Sequence, residues 1–157
     1  MLPTFIVIGA MKAGTTSLYH YLSQHPEIGM SRHKELNFFK TNADFAKGLD
    51  WYAAQFPSGS RVLGESSPNY SKCHLFPGVA ERLHSVLPRI SLIYLVRHPV
   101  DRAVSHYVHQ VSTGKESRPF EAVFEDLEQN PYVLTGAYMF QLRQYLRFYP
   151  AERMLIV

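Results

Sequence analysis

Apolar residues along this chain fall into two patterns, short unbroken runs and stripes at helical spacing. Thr4–Ile8 (TFIVI) is β-branched and continuously apolar, as a strand buried on both faces should be. Leu18, Tyr21 and Leu22 then recur at helical spacing, with Pro26 just beyond the helix they predict. A short second strand precedes the loop from Ser31 to Lys40, and Arg61 to Glu65 reads as a third strand. A helix is predicted from about Gly78 to Leu87, and Ile90 to Val96 (ISLIYLV) is the clearest strand. Pro99, a good first helical residue, opens a helix to about Ser112. Further helices are predicted over Phe120 to Glu128 and Ala137 to Phe148, and the closing RMLIV is a strand. Strands alternating with helices predict an α/β fold with three layers, a central parallel sheet flanked by helices. Ligands of such folds sit outside the carboxyl ends of the strands.

The first such end carries chemistry. In GAMKAGTTSLYHYL, Gly9 and Gly14 keep the spacing of a phosphate-binding loop, and the strand–loop–helix context fits a P-loop-like fold. Thr15 stands where a Walker A lysine would, and Lys12 lies inside the loop instead. Backbone N–H groups from about Ala13 to Ser17 should face an anion, aided by the helix dipole and by the hydroxyls of Thr15, Thr16 and Ser17. Lys12 can neutralise charge on a leaving oxygen. The plainer alternative is a tight turn from strand to helix.

Two more stretches converge on the same edge. In RHPVDRAVSHY, Arg97 leaves the clearest strand where a Mg-dependent NTPase usually presents an acid. Arg102 and Ser105 lie three apart on the next helix and share a face. Arginine with a hydroxyl suits a phosphate monoester; a pairing of Arg102 with a nearby carboxylate is the alternative. In SRHKELNFFK, Glu35 is either a general base or a surface glutamate paired with Lys34.

Composition narrows the class. The chain has 157 residues, 46% hydrophobic and 18% charged, which fits one globular domain. Its net charge of +3 suits an anionic ligand, but the basic residues are scattered, which argues against nucleic acid. Cys73 is the single cysteine, and the opening apolar run is too short for a signal core or membrane span. A soluble, cytoplasmic protein without membrane insertion is the expectation.

Taken in order and spacing, KAGTTSL, KELNFF, GESSPNY and RHPVDRAVSHY resemble the PAPS-dependent sulfotransferases. The likeness is to the branch with the heparan sulfate glucosaminyl sulfotransferases and bacterial relatives, over about Pro3 to Val157. It implies PAPS as co-substrate, PAP as product, no metal, and sulfuryl transfer to a hydroxyl or amine, with a carbohydrate the expected acceptor. By this likeness Lys12 to Ser17 hold the 5′-phosphosulfate and Arg97 and Ser105 bind the 3′-phosphate. Glu35 becomes the base, and Lys12 the group that stabilises the bridging oxygen. The chain departs from that branch at Ser66 (lysine there), Asn37 (often histidine) and His98 (often aspartate). It also stops at Val157, before the stretch that closes over the adenine in relatives, so a single, C-terminally incomplete domain over 1–157 is expected. A catalytically silent PAP-binding fragment and a P-loop kinase or NTPase are the alternatives. The oligomeric state stays open.

Other features read as structural. His106 and His109 lack a visible third metal ligand. Trp51, Tyr52 and Phe56, like Tyr138, Leu142, Tyr145 and Tyr149, form aromatic stripes that suit a core. Cys73 has no activating base in its local sequence and is read as inert.

Overall fold

The computed structural model describes all residues from Met1 to Val157. Its centre is a five-stranded, wholly parallel sheet built from β1 (Phe5–Gly9), β2 (Ile28–Met30), β3 (Val62–Ser66), β4 (Ser91–Tyr94) and β5 (Met154–Ile156). The strand order is β2-β3-β1-β4-β5, so β2 forms one edge, β3 returns between it and β1, and β4 and β5 then extend the sheet on the other side of β1. This places the topological switch at β1, where ligands of open α/β sheets bind.

Burial explains the unbroken apolar run of β1, all five of whose residues are buried. Phe5 and Val7 face one side, against Leu18, Tyr19 and Leu22 of α1 (Thr15–Ser23). Ile6 and Ile8 face the other, in the main core. There they meet Leu83 of α4 (Val79–Val86) and Leu142 and Tyr145 of the last helix, so helices cover both faces. Two short helices, α2 (Asn42–Phe45) and α3 (Leu49–Ala53), connect β2 to β3. Helix α5 (Pro99–Ser112) follows β4, and its first-turn proline starts it as expected.

The helix expected over Phe120 to Glu128 is shorter than that. Residues α6 (Phe120–Val123) form one turn, and α7 (Pro131–Leu134) starts afresh. Asn130 explains the break: its amide donates to the carbonyls of Val123 at 2.5 Å and Asp126 at 3.2 Å, while its oxygen caps α7. The last helix, α8 (Tyr138–Leu146), and a 3₁₀ turn at Ala151–Arg153 lead into β5. The aromatic stripes are largely core: Tyr52 stacks on Phe38 at 4.4 Å between centroids, and Phe56, Tyr145 and Tyr149 are buried, while Trp51 lies at the surface. No helix is long and apolar enough to cross a membrane.

Candidate active site

The loop after β1 and the segment after β4 begin side by side. Ala10 N donates to Leu95 O at 2.9 Å, and Leu95 N donates to Gly9 O at 2.8 Å, so the sheet ladder runs into both segments. Gly9 admits a 3₁₀ turn, Pro68–Ser71, against the strand end: a Cβ there would lie 2.3 Å from Ser71 Oγ. Gly14 takes φ of 101° as the N-cap of α1, a conformation that a β-carbon disfavours.

The loop presents Lys12, Gly14, Thr15 and Thr16 to a cavity of about 250 Å³, whose remaining lining is Arg97 and Ser105. Six of the predicted residues therefore meet in one place, and no carboxylate lines it. The amides of Thr15, Thr16 and Ser17 belong to the first turn of α1, where N–H groups have no intrahelical acceptor. The Ala13 amide differs from expectation: it donates to Ala10 O at 3.1 Å, because Lys12 at φ of 67° closes a tight turn. Ala13 and Ser17 are not in the cavity lining.

Two guanidinium groups hold this loop by its carbonyls, Arg97 from the cavity lining and Arg102 from the interior. Arg97 Nη1 donates to Lys12 O at 3.4 Å, and Arg102 Nη1 to Met11 O at 3.3 Å. Tyr138 anchors Arg97 by donating to its carbonyl at 2.6 Å.

Arg102 is not beside Ser105 in the cavity. It is wholly buried, donates to Tyr132 O through Nη2, and has its Nε without an acceptor. Gly136 gives it room, since a Cβ there would lie 3.0 Å from Nε. Arg102 makes no salt bridge, so the alternative of a carboxylate partner does not hold. Lys12 and Arg97 are likewise without an acidic partner. His106, weighed in the sequence as a metal ligand with His109, is buried beside Arg102 and edge-on to Tyr132. Burial, with Lys72 and Arg102 nearby, pushes its imidazole down to about 3, so it is neutral at ordinary pH.

Glu35 lies outside the cavity lining, exposed, with Lys34 Nζ at 2.6 Å from its Oε1. Its backbone is nonetheless fixed: Glu35 N donates to Ser66 O at 2.9 Å, at the carboxyl end of β3. Asn37 adds a second tie, donating from Nδ2 to Glu35 O at 2.9 Å and from its amide to Ser67 Oγ at 3.1 Å. The loop thus lies at the same edge of the sheet as this cavity, the carboxyl end of the strands.

Two residues of this region were not singled out in the sequence. Glu65 is completely buried and accepts from Ser67 Oγ at 2.6 Å, Tyr70 OH at 2.7 Å and Tyr52 OH. A carboxylate at the end of an apolar strand was the available signal. Lys72, just after the 3₁₀ turn, is also buried, and nothing in its local sequence marks it.

A cavity lined by a loop lysine and an arginine from the strand end, with no acid, is consistent with the relatives of this chain. Residues 2–157 match the family described as "Sulfotransferase domain". Human bifunctional heparan sulfate N-deacetylase/N-sulfotransferase 2 is 32% identical over 99% of this chain and 20% of its own length. Mouse heparan sulfate glucosamine 3-O-sulfotransferase 5 is 32% identical over 99% of this chain and 47% of its own. The membrane-associated sulfotransferase kil1 of Dictyostelium discoideum is 39% identical over 80% of this chain and 27% of its own. The chain therefore spans under half the length of these relatives. The crystal structure of a sulfotransferase from Alicyclobacillus acidocaldarius superposes with a TM-score of 0.85 at 30% identity, over 100% of this chain and 73% of that one. From its sheet order to its loop lysine, and across residues 2–157, this chain belongs to the sulfotransferase family.

Proposed function

We propose that residues 1–157 form one sulfotransferase domain that moves a sulfuryl group from PAPS to a hydroxyl or amine of a carbohydrate acceptor. The observation that carries this reading is the cavity in which Lys12, Gly14, Thr15 and Thr16 face Arg97 and Ser105 with no carboxylate. The donor set suits a ligand with two separated anionic groups. First-turn amides, hydroxyls and Lys12 suit the 5′ side, and a guanidinium with a hydroxyl suits a 3′-phosphate. The unpaired Nε of buried Arg102 and the absence of acidic partners leave net positive charge for such a ligand to balance. The names of two relatives, which carry heparan sulfate, support the carbohydrate acceptor.

PAPS supplies an activated sulfuryl group when bound. Glu35 takes the proton from the acceptor as the acceptor's oxygen or nitrogen bonds to sulfur. Lys12 stabilises the electron pair left on the bridging oxygen as the sulfur–oxygen bond breaks, and PAP is released. The first-turn amides orient the departing phosphate, so the protein's main work is placement and charge stabilisation.

Calorimetric titration without Mg²⁺ tests the donor half of this reading. PAP should bind at least about 10-fold more tightly than 5′-AMP, the worth of one charge-assisted phosphate contact, and Arg97→Ala should abolish the difference. Equal affinity for the two nucleotides in the folded chain would sink the reading. The acceptor half rests on Glu35: Glu35→Gln should keep PAP affinity within about 3-fold and lose about 10²-fold or more in turnover with PAPS. Unimpaired turnover would remove Glu35 as the base.

A further inference from the structure

Behind the phosphate loop lies an amine that the proposed mechanism does not use. Lys72 is only 6% exposed, although it makes no salt bridge. Its Nζ donates to Met11 Sδ at 2.8 Å and to Asn69 Oδ1 at 2.9 Å. Met11 precedes Lys12 in the phosphate loop. Asn69 reaches the other half of the site, donating to Asn37 Oδ1 at 3.1 Å, and Asn37 in turn holds the Glu35 carbonyl at 2.9 Å. One buried amine therefore joins the loop proposed to bind the donor to the loop that carries the proposed base.

Its electrostatic surroundings are lopsided. Glu35 is the one acid that favours its charge, from the loop after β2. Arg102 on α5 and Lys115 beyond that helix oppose it. His74, two residues on, and His106 on α5 also feel its charge. Burial is the largest influence, and together these hold the amine down to about 8, where it titrates near working pH. An ammonium donates more strongly than an amine, so its grip on Met11 and Asn69 weakens when it loses its proton.

We propose that Lys72 is a positioning residue of the donor site, clamping the phosphate loop to the Glu35 loop while charged, so that its protonation and anion binding at Lys12–Ser105 reinforce one another. The proposal rests on the donor-binding reading above, and extends it to a residue that touches neither donor nor acceptor. The sign follows from linkage. A bound anion favours the charged lysine, so affinity falls as pH rises through about 8 and levels off above the lysine's value in the complex.

The test is calorimetry of the whole chain with PAP and, separately, inorganic sulfate, which does not titrate in the range, from pH 7.5 to 9.5. The wild type should lose about 10-fold in affinity across that range, as expected for one coupled proton. Lys72→Met should bind more weakly at pH 7.5 with a flat profile, and Lys72→Arg, whose charge persists, should be flat and tight. A flat wild type, or an unchanged slope in Lys72→Met, overturns the proposal. If Lys72→Met does not fold, ¹³C NMR of the Lys72 Cε in the wild type decides. Sulfate should raise its titration midpoint by about one pH unit, and an unmoved midpoint overturns the coupling. A Lys72-dependent slope with sulfate, but no preference for PAP over 5′-AMP, would keep this proposal and sink the donor reading. PAP preference without the slope would do the reverse, and binding of neither ligand would end both.

Discussion

Lys12→Ala should lower turnover with PAPS by about 10²- to 10³-fold, the cost of deleting one preorganised donor at an oxygen that gains charge, about 2.7–4 kcal/mol. Lys12 is the only lysine in the cavity lining, and it has no acidic partner to neutralise it. Its position is set by a backbone at φ of 67° and by Arg97 holding its carbonyl, so removal of the side chain leaves the loop in place. The loss should therefore fall on kcat, with PAP affinity weakened less than about 10-fold, since first-turn amides and Arg97 still hold the nucleotide. Steady-state kinetics of the pure variant, beside PAP calorimetry, checks this division. Unchanged kcat would take Lys12 out of the chemistry. A loss confined to KM would make it a binding residue only.

The strand–loop–helix after β1 was legible in the sequence because each of its requirements is local. Glycine spacing, hydroxyls and the switch from an unbroken apolar run to a helical stripe all lie between Thr4 and Leu22. Arg97 was legible for the same reason, as the residue at the end of the clearest strand. The parallel sheet followed from alternating patterns, and its five strands appear where the apolar runs lie, within a few residues at their ends. What escaped the reading depends on partners that no local pattern names. The burial of Arg102 requires Met11, Tyr132 and the missing side chain of Gly136. The break of the Phe120 helix requires Asn130 to turn back on Val123. Lys72 looks like a surface residue until the 3₁₀ turn and α8 enclose its neighbourhood, where Gln141 Oε1 accepts from Cys73 N at 2.8 Å. The surface pairing of Glu35 with Lys34, by contrast, is one of the two readings its neighbouring residue offered, because that partner is adjacent in the chain.

The largest expected effect on stability lies at Glu65, where Glu65→Ala should cost about 3–5 kcal/mol. The carboxyl is completely buried, and burial pushes it above the usual carboxylate range despite the hydroxyls that lower it. Tyr52, Ser67 and Tyr70 all donate to it, so truncation orphans three hydroxyl donors in a dry interior. Each orphan costs about 1–3 kcal/mol, partly recovered where a hydroxyl finds another acceptor. The two donors that also accept keep that second role: Phe39 N still reaches Tyr70 OH at 3.2 Å, and Asn37 N still reaches Ser67 Oγ at 3.1 Å. Glu65→Gln retains one acceptor oxygen and the side-chain volume, and should cost only about 1–2 kcal/mol. Against a total of about 5–15 kcal/mol for an ordinary domain, the alanine variant sits close to unfolding. Urea denaturation at 25 °C reads both differences, and an alanine variant within about 1 kcal/mol of wild type would show the cluster to be dispensable. The consequence reaches the site, because Ser67 and Tyr70 carry the contacts that fix Asn37 and Phe39 on either side of Phe38. Conditions that leave Glu65→Ala folded should therefore still show weakened transfer, with PAP affinity falling less than turnover, since the backbones of β1 and β4 also hold the loop after β1.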